Sequence, residues 1–103
     1  SEDSVPSSVN SVPVITSNDV YSIPNNTTEV AIMSATDDDG DLLEFSLIGE
    51  DASEFTIHIY EGILALKNSS DYFAKNSYTF DLIVSDLEVQ STKSITVNVT
   101  NPD

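Results

Sequence analysis

The chain has 103 residues, of which 39% are hydrophobic, and this suffices for one domain with one modest core. Eighteen acidic residues face three lysines and no arginine, giving a formal net charge of −15; this excludes nucleic acid as a partner, because binding a polyanion requires clustered basic side chains. There is no cysteine for disulfides or thiolate metal sites, and no apolar run approaches the roughly 18 residues of a membrane-spanning helix, so we expect no membrane insertion by this segment.

Residues 1–11 are predicted to form a linker or a disordered tail. They contain five serines, one proline and two acids, and they show no alternation of apolar and polar side chains. From residue 12 to residue 101, short segments with period-two alternation are separated by clusters of Asn, Asp, Gly and Ser. This pattern is typical of β strands, so we expect one all-β domain over residues 12–101.

The predicted strands follow one another at short intervals. In chain order they cover residues 12–16 with 19–23, 29–35, 42–48, 54–60, 63–67, 77–85 and 92–100. The first is an edge strand interrupted by a turn, because Pro13 and Pro24 lack the amide that a central strand needs. In the strand over residues 54–60, Phe55, Ile57 and Ile59 are expected on one face. Seven strands at this spacing indicate a Greek-key sandwich of two antiparallel sheets.

The densest charge lies in a loop between two predicted strands, where residues 37–41 read Asp-Asp-Asp-Gly-Asp. Carboxylates at alternate positions of a loop can converge on one hard cation, so calcium is the first candidate partner. A solvated acidic surface is the alternative. An EF-hand is excluded, because counting from Asp37 places Leu42 at the turn glycine and Ile48 at the bidentate glutamate.

Catalytic chemistry has little support in the sequence, and we expect that the domain is not an enzyme. His58 is the only histidine, and it is predicted on the solvent-facing side of its strand, opposite Ile57 and Ile59. The sequence has no Gly-x-Ser-x-Gly elbow, no phosphate-binding glycine loop and no histidine-rich metal motif.

Seven short motifs follow one another in a fixed order through residues 9–101. They are Pro13-Val14-Ile15, Ala35-Thr36-Asp37-Asp38-Asp39-Gly40-Asp41, Phe55-Thr56-Ile57, Gly62-Ile63-Leu64, Asp71-Tyr72, Val84-Ser85-Asp86 and Val97-Asn98-Val99-Thr100. In order and spacing this series resembles a cadherin repeat, especially the cadherin-like repeats of large bacterial surface proteins. The resemblance implies a cadherin- or immunoglobulin-like β-sandwich with calcium at its junctions with neighbouring repeats.

The resemblance also assigns calcium ligands to the pole that faces a preceding repeat. Carried over to this sequence, they are Asn10, Asp37, Asp39 and Asp86, whereas Ser11 stands where the family usually has Asp. The remaining ligands of such a site come from the preceding repeat. We therefore expect weak calcium binding by this domain alone, with a dissociation constant on the order of 10⁻⁴ to 10⁻³ M or weaker.

The pole that faces a following repeat departs from the family pattern. Asp71 is the one family ligand present there, since Asn25, Phe73 and Asn101 replace acidic residues. Because calcium affinity follows carboxylate number, the resemblance predicts an asymmetric module with a degraded C-terminal junction.

The resemblance implies an extracellular or cell-surface module of structural or adhesive function, whose partners are neighbouring repeats of its own chain. We expect it to be monomeric as a fragment, and strand exchange through an inserted tryptophan is excluded because the chain has no Trp. The alternatives are a module that binds a cell-surface protein or polysaccharide, with Tyr21, Tyr60 and Tyr72 as candidate contacts, and an accessory domain of a secreted enzyme.

Overall fold

The computed structural model describes residues 12–102, and the predicted linker over residues 1–11 lies outside them. The strands are β1 (Val14–Ile15), β2 (Val20–Ile23), β3 (Glu29–Ile32), β4 (Ala35–Thr36), β5 (Glu44–Ile48), β6 (Phe55–Ile57), β7 (Ile63–Leu66), β8 (Ser77–Ser85) and β9 (Gln90–Val99). A 3-10 turn at Ala52–Glu54 precedes β6, and no helix in the described part of the chain is long and apolar enough to span a membrane. The predicted all-β class is confirmed.

Nine strand segments account for the seven predicted strands, because two of those strands are interrupted. β1 and β2 form the first, and β3 and β4 form the second. The segments build a four-stranded sheet in the order β2-β9-β8-β5, a three-stranded sheet in the order β3-β7-β6, and a two-stranded ladder of β1 with β4. All pairs are antiparallel except β2 with β9, which is parallel. The predicted purely antiparallel pairing is therefore wrong at this edge.

The parallel pair arises because the chain crosses between sheets after β1. Ser17 fixes the crossing: its hydroxyl accepts a hydrogen bond from the Ser34 amide at 2.7 Å and donates one to the Ser34 carbonyl at 3.2 Å. The Ser17 carbonyl also accepts a hydrogen bond from the Lys93 ammonium at 2.6 Å. β2 consequently joins the sheet beside β9 while running in the same direction.

The core lies between the two larger sheets, and the alternating apolar side chains of the longest strands supply much of it. Tyr78, Phe80, Leu82 and Val84 of β8 are buried, as the period-two pattern predicts. Ile95, Val97 and Val99 of β9 lie with them in one cluster, to which β3, β6 and β7 contribute from the other sheet. Each fully buried aliphatic or aromatic side chain contributes about 2 kcal/mol through loss of apolar contact with water. This core holds the sheets together in a chain without disulfides.

The strand predicted over residues 54–60 is shorter in the structure. β6 ends at Ile57, and Ile59 is exposed instead of sharing the buried face of Phe55. The cause is local: the His58 Nδ1 accepts hydrogen bonds from the amides of Tyr60 and Glu61, at 3.2 and 3.0 Å, and this folds residues 58–62 into a turn. His58 itself is exposed, as predicted.

The long β8–β9 hairpin gives the domain two poles. β8 has nine residues, so its ends lie about 27 Å apart. The chain enters at the N-terminal pole, where the Ser91 hydroxyl donates a hydrogen bond to the Pro13 carbonyl. It leaves at the C-terminal pole, where the Thr100 amide donates to the Ile23 carbonyl at 2.9 Å.

Candidate metal centre

The acidic loop at the N-terminal pole is folded by its own first residue. Asp37 follows β4, and its Oδ1 accepts a hydrogen bond from the Asp39 amide at 2.8 Å. The Asp37 carbonyl accepts a second bond from the Gly40 amide at 2.9 Å. Gly40 has a φ of 71°, a left-handed conformation that glycine adopts without steric cost. This Asx turn reverses the chain and returns Asp41 towards Asp37.

Asp86 reaches the same place from the turn between β8 and β9. It is buried, and its Oδ1 accepts hydrogen bonds from the amides of Glu88 and Val89, both at 2.9 Å. The turn places Leu87 at a φ of 83°, a strained conformation for a residue with a Cβ. The carboxylate of Asp86 thus stabilises its own turn while lying beside the acidic loop.

Three carboxylates converge between these two turns. One oxygen each from Asp37, Asp41 and Asp86 lies within 4.8 Å of the others. The Oδ2 of Asp37 is buried and has no hydrogen-bond partner. A buried carboxylate oxygen without a donor is costly, and a cation is the group that relieves both this loss and the mutual repulsion of three negative charges.

The mutual repulsion of the acidic residues affects the pKa of Asp41, the most exposed residue of the cluster. Partial desolvation raises the pKa of the Asp41 carboxyl above its ordinary value, and the negative charges of neighbouring acids, Asp37 and Asp39 foremost, raise it further. The folded state therefore favours the protonated form of Asp41 more than the unfolded chain does. A divalent ion at the cluster would reverse this preference, because it stabilises the ionised form.

The donor set fits calcium. It consists of carboxylate oxygens alone, which hard cations prefer, and calcium tolerates the irregular geometry of ligands from two separate turns. Asp37, Asp41 and Asp86 would hold the ion, which would tie the loop after β4 to the β8–β9 turn. If each carboxylate binds through one oxygen, the three supply at most half of the six to eight oxygens that calcium takes, so other groups would complete the shell.

The predicted ligands are only partly brought together. Asp37 and Asp86 lie in the cluster, whereas the Asp39 carboxylate is not among the three grouped oxygens, and Asn10 lies outside the described residues. Asp41 was not predicted as a ligand. The signal for Asp41 was present in the sequence: Gly40 directly before it permits the reversal that returns its side chain to Asp37.

The C-terminal pole has no comparable cluster of three acids within residues 12–102. The Asn25 Oδ1 accepts a hydrogen bond from the Tyr72 amide at 2.6 Å, and the Asp71 Oδ1 accepts one from the Phe73 amide at 3.1 Å. The side chain of Phe73 is 70% exposed. The residues at this pole therefore order the loop over residues 71–75 through their own hydrogen bonds.

Of the three tyrosines considered as ligand contacts, Tyr60 presents the most surface. Tyr21 and Tyr72 are partly buried and pack against the core, whereas Tyr60 is 49% exposed. Tyr60 lies on the turn over residues 58–62, at the N-terminal pole. Its ring centroid is 6.5 Å from that of His58, whose Nδ1 holds the turn.

Comparison with known proteins identifies the fold through structure and not through sequence. No family model matches the chain, and no curated protein sequence matches it significantly. Human protocadherin-24 EC1-2 superposes with a TM-score of 0.82 at 23% identity, over 90% of this chain and 45% of that one. Drosophila N-cadherin EC1-3 gives a TM-score of 0.76 at 19% identity, over 88% of this chain and 34% of that one.

A third similar structure, mouse cadherin-23 EC22-24, has a TM-score of 0.74 at 19% identity. The match covers 87% of this chain and 31% of the cadherin-23 chain. The chain thus spans less than half the length of each of these multidomain structures. These similarities show that the chain has the fold of a cadherin extracellular domain.

Proposed function

We propose that this chain is an extracellular, non-enzymatic repeat of a larger surface or adhesion protein, with calcium bound at its N-terminal junction and a C-terminal junction that does not bind calcium. Likeness to bacterial surface repeats remains a prediction within this proposal. The calcium site is supported mainly by the convergence of Asp37, Asp41 and Asp86, which each place one carboxylate oxygen within 4.8 Å of the others. The buried Oδ2 of Asp37, which has no hydrogen-bond partner, supports it further.

The physical role of the ion follows from the position of its ligands. They come from two turns at the pole where the chain enters the domain. An ion that binds both turns would restrict their relative motion and stiffen the connection to a preceding repeat. Asn10 and Asp39 remain proposed additional ligands, since Asn10 precedes the first strand in the sequence and Asp39 belongs to the acidic loop.

The asymmetry between the poles follows from ligand charge. The side-chain oxygens of Asn25 and Asp71 already accept amide hydrogen bonds, and Phe73 supplies no ligand atom. A hard cation gains little from one carboxylate and neutral amides, so the C-terminal junction is proposed to be ordered without metal. A following repeat would then contact a pole that is ordered by hydrogen bonds and that exposes the side chain of Phe73.

The proposal predicts a calcium-dependent gain in thermal stability. At a calcium concentration about ten times the dissociation constant, binding to the folded state alone contributes about 1.4 kcal/mol. For a domain of this size that raises the midpoint of thermal unfolding by about 8 °C. Magnesium at the same concentration serves as the ionic-strength control and is expected to give a smaller shift, because it favours rigid octahedral sites.

Substitution of single aspartates by asparagine tests which carboxylates produce the calcium-dependent rise in the unfolding midpoint. Asp41→Asn and Asp86→Asn should abolish the calcium-dependent shift, and the second variant retains an oxygen for the amides of Glu88 and Val89. Asp71→Asn, at the opposite pole, should retain it. An equal calcium response in Asp41→Asn and in the native chain would refute the proposed site, and loss of the response in Asp71→Asn would refute the asymmetry.

A further inference from the structure

A shallow groove of about 540 Å³ adjoins the carboxylate cluster and shares Asp41 with it. Its lining combines apolar and acidic groups, among them Leu42, Tyr60 and Glu61. Leu42 and Tyr60 are both exposed apolar side chains, 61% and 49% accessible. The groove therefore offers an aromatic surface and two carboxylates beside a candidate cation.

The turn that carries Tyr60 is held in place before any ligand arrives. The His58 Nδ1 accepts the amides of Tyr60 and Glu61, and the His58 carbonyl accepts the Gly62 amide at 2.9 Å. The Gly62 carbonyl accepts the Met33 amide at 2.7 Å, which joins the turn to the end of β3. A side chain on such a turn loses little conformational entropy when it binds a partner.

We propose that this groove binds a neutral pyranose sugar together with calcium, the tyrosine ring of Tyr60 lying against the apolar face of the sugar. Two adjacent sugar hydroxyls reach the calcium ion at the cluster and supply oxygens that its three carboxylates leave missing. The carboxylates of Asp41 and Glu61 accept hydrogen bonds from further hydroxyls. The inference rests on the proposed calcium site, and it adds a ligand and the residue that recognises it.

Charge selects the class of ligand. With a formal net charge of −15 and acids on two sides of the groove, the domain repels sialic and uronic acids but not neutral sugars. A basic peptide would also be attracted to the groove, but it would compete with calcium for Asp41. Binding of a bridging sugar rises with calcium, whereas binding of a basic peptide falls, so the calcium dependence separates the two ligands.

The test is a titration of the native chain with methyl α-D-mannopyranoside, followed by amide NMR in millimolar calcium and again in excess EGTA. With calcium, amide shifts are expected in the turn over residues 58–62 and in the loop over residues 37–41, with a dissociation constant on the order of 1 mM. In EGTA these shifts disappear. Sialic acid in calcium is the negative control.

Variants distinguish recognition from folding. Tyr60→Ala should weaken sugar binding about tenfold and leave calcium binding unchanged, Tyr60→Phe should bind as the native chain does, and Phe73→Ala, an exposed aromatic at the far pole, should have no effect. If calcium shifts the cluster amides but the sugar shifts nothing, or if sugar binding persists in EGTA, the inference is wrong and the calcium site stands. If calcium itself produces no shift, the calcium site and the inference both fail.

Discussion

Gly62→Ala is expected to destabilise the domain by about 3 kcal/mol, the largest effect among its glycines. Gly62 has a φ of 73°, and a Cβ at this position would lie 2.5 Å from the Met33 carbonyl oxygen. The clash is difficult to relieve, because the Met33 amide donates a hydrogen bond to the Gly62 carbonyl at 2.7 Å and holds the two backbones together. Urea denaturation measures the effect as a lower midpoint at unchanged m-value.

Gly40→Ala is the matched control for this prediction. Gly40 has almost the same φ, 71°, but no atom lies within 4 Å of the Cβ position. Its replacement by alanine should therefore lower the free energy of unfolding by about 1 kcal/mol, the cost of placing a residue with a Cβ in the left-handed conformation. The difference between the two variants isolates the contact with the Met33 backbone. Equal losses of stability would show that the turn over residues 58–62 is not held against Met33.

Asp51→Ala is expected to lower the free energy of unfolding by about 2 kcal/mol. The carboxylate of Asp51 is buried; one oxygen accepts a hydrogen bond from the Lys75 ammonium at 2.5 Å and the other from the Thr79 amide at 2.8 Å. Lys75 also contacts Glu54 at 2.9 Å and remains partly exposed, so it retains one partner and some water. The loss is therefore smaller than for a fully buried ion pair.

Asp81→Ala is the control for Asp51→Ala, since Asp81 lies on β8 and accepts only an exposed hydrogen bond from the Ser94 hydroxyl. We expect it to change stability by about 0.5 kcal/mol or less. Chemical denaturation of both variants beside the native chain gives the comparison. Equal effects for the two variants would mean that the interaction of Asp51 with Lys75 and Thr79 contributes little.

The same contact makes part of the stability depend on pH. Burial raises the pKa of the Asp51 carboxyl, but the hydrogen bonds from Lys75 and the Thr79 amide outweigh it and leave that pKa below the ordinary value of 3.8. A lowered folded-state pKa stabilises the fold above pH 3.8, and this contribution is lost as the pH falls through the folded-state value. Native and Asp51→Ala stabilities should therefore converge in strong acid and differ most near neutral pH.

The long strands could be predicted from the sequence because apolar and polar side chains alternate along most of their length, with Ile83 of β8 as a buried exception. Residues 77–85 were predicted as one strand with Tyr78, Phe80, Leu82 and Val84 on one face, and β8 has these bounds and this buried face. Alternation over nine residues leaves one register that buries the apolar face, so local pattern and tertiary packing agree.

The remaining features depend on contacts between residues far apart in sequence. The crossing after β1 requires Ser17 to meet Ser34, and the burial of Asp51 depends on a backbone partner at Thr79, twenty-eight residues later. At the candidate site, the resemblance to a cadherin repeat assigned Asp37 and Asp39 as ligands in the acidic loop. The turn formed by Asp37 instead brings Asp41 to the cluster, because the Asp37 side chain bonds the Asp39 amide.

The proposed calcium site is tested most directly by an amide NMR titration of the native chain with calcium. Saturable shifts are expected in the loop over residues 37–41 and in the turn over residues 86–89, with a dissociation constant on the order of 10⁻⁴ to 10⁻³ M. The amides of Asn25 and of residues 71–75 at the other pole should not move. Shifts at the C-terminal pole would contradict the proposed asymmetry, and the lack of a saturable shift at Asp37, Asp41 and Asp86 would contradict the proposed calcium site.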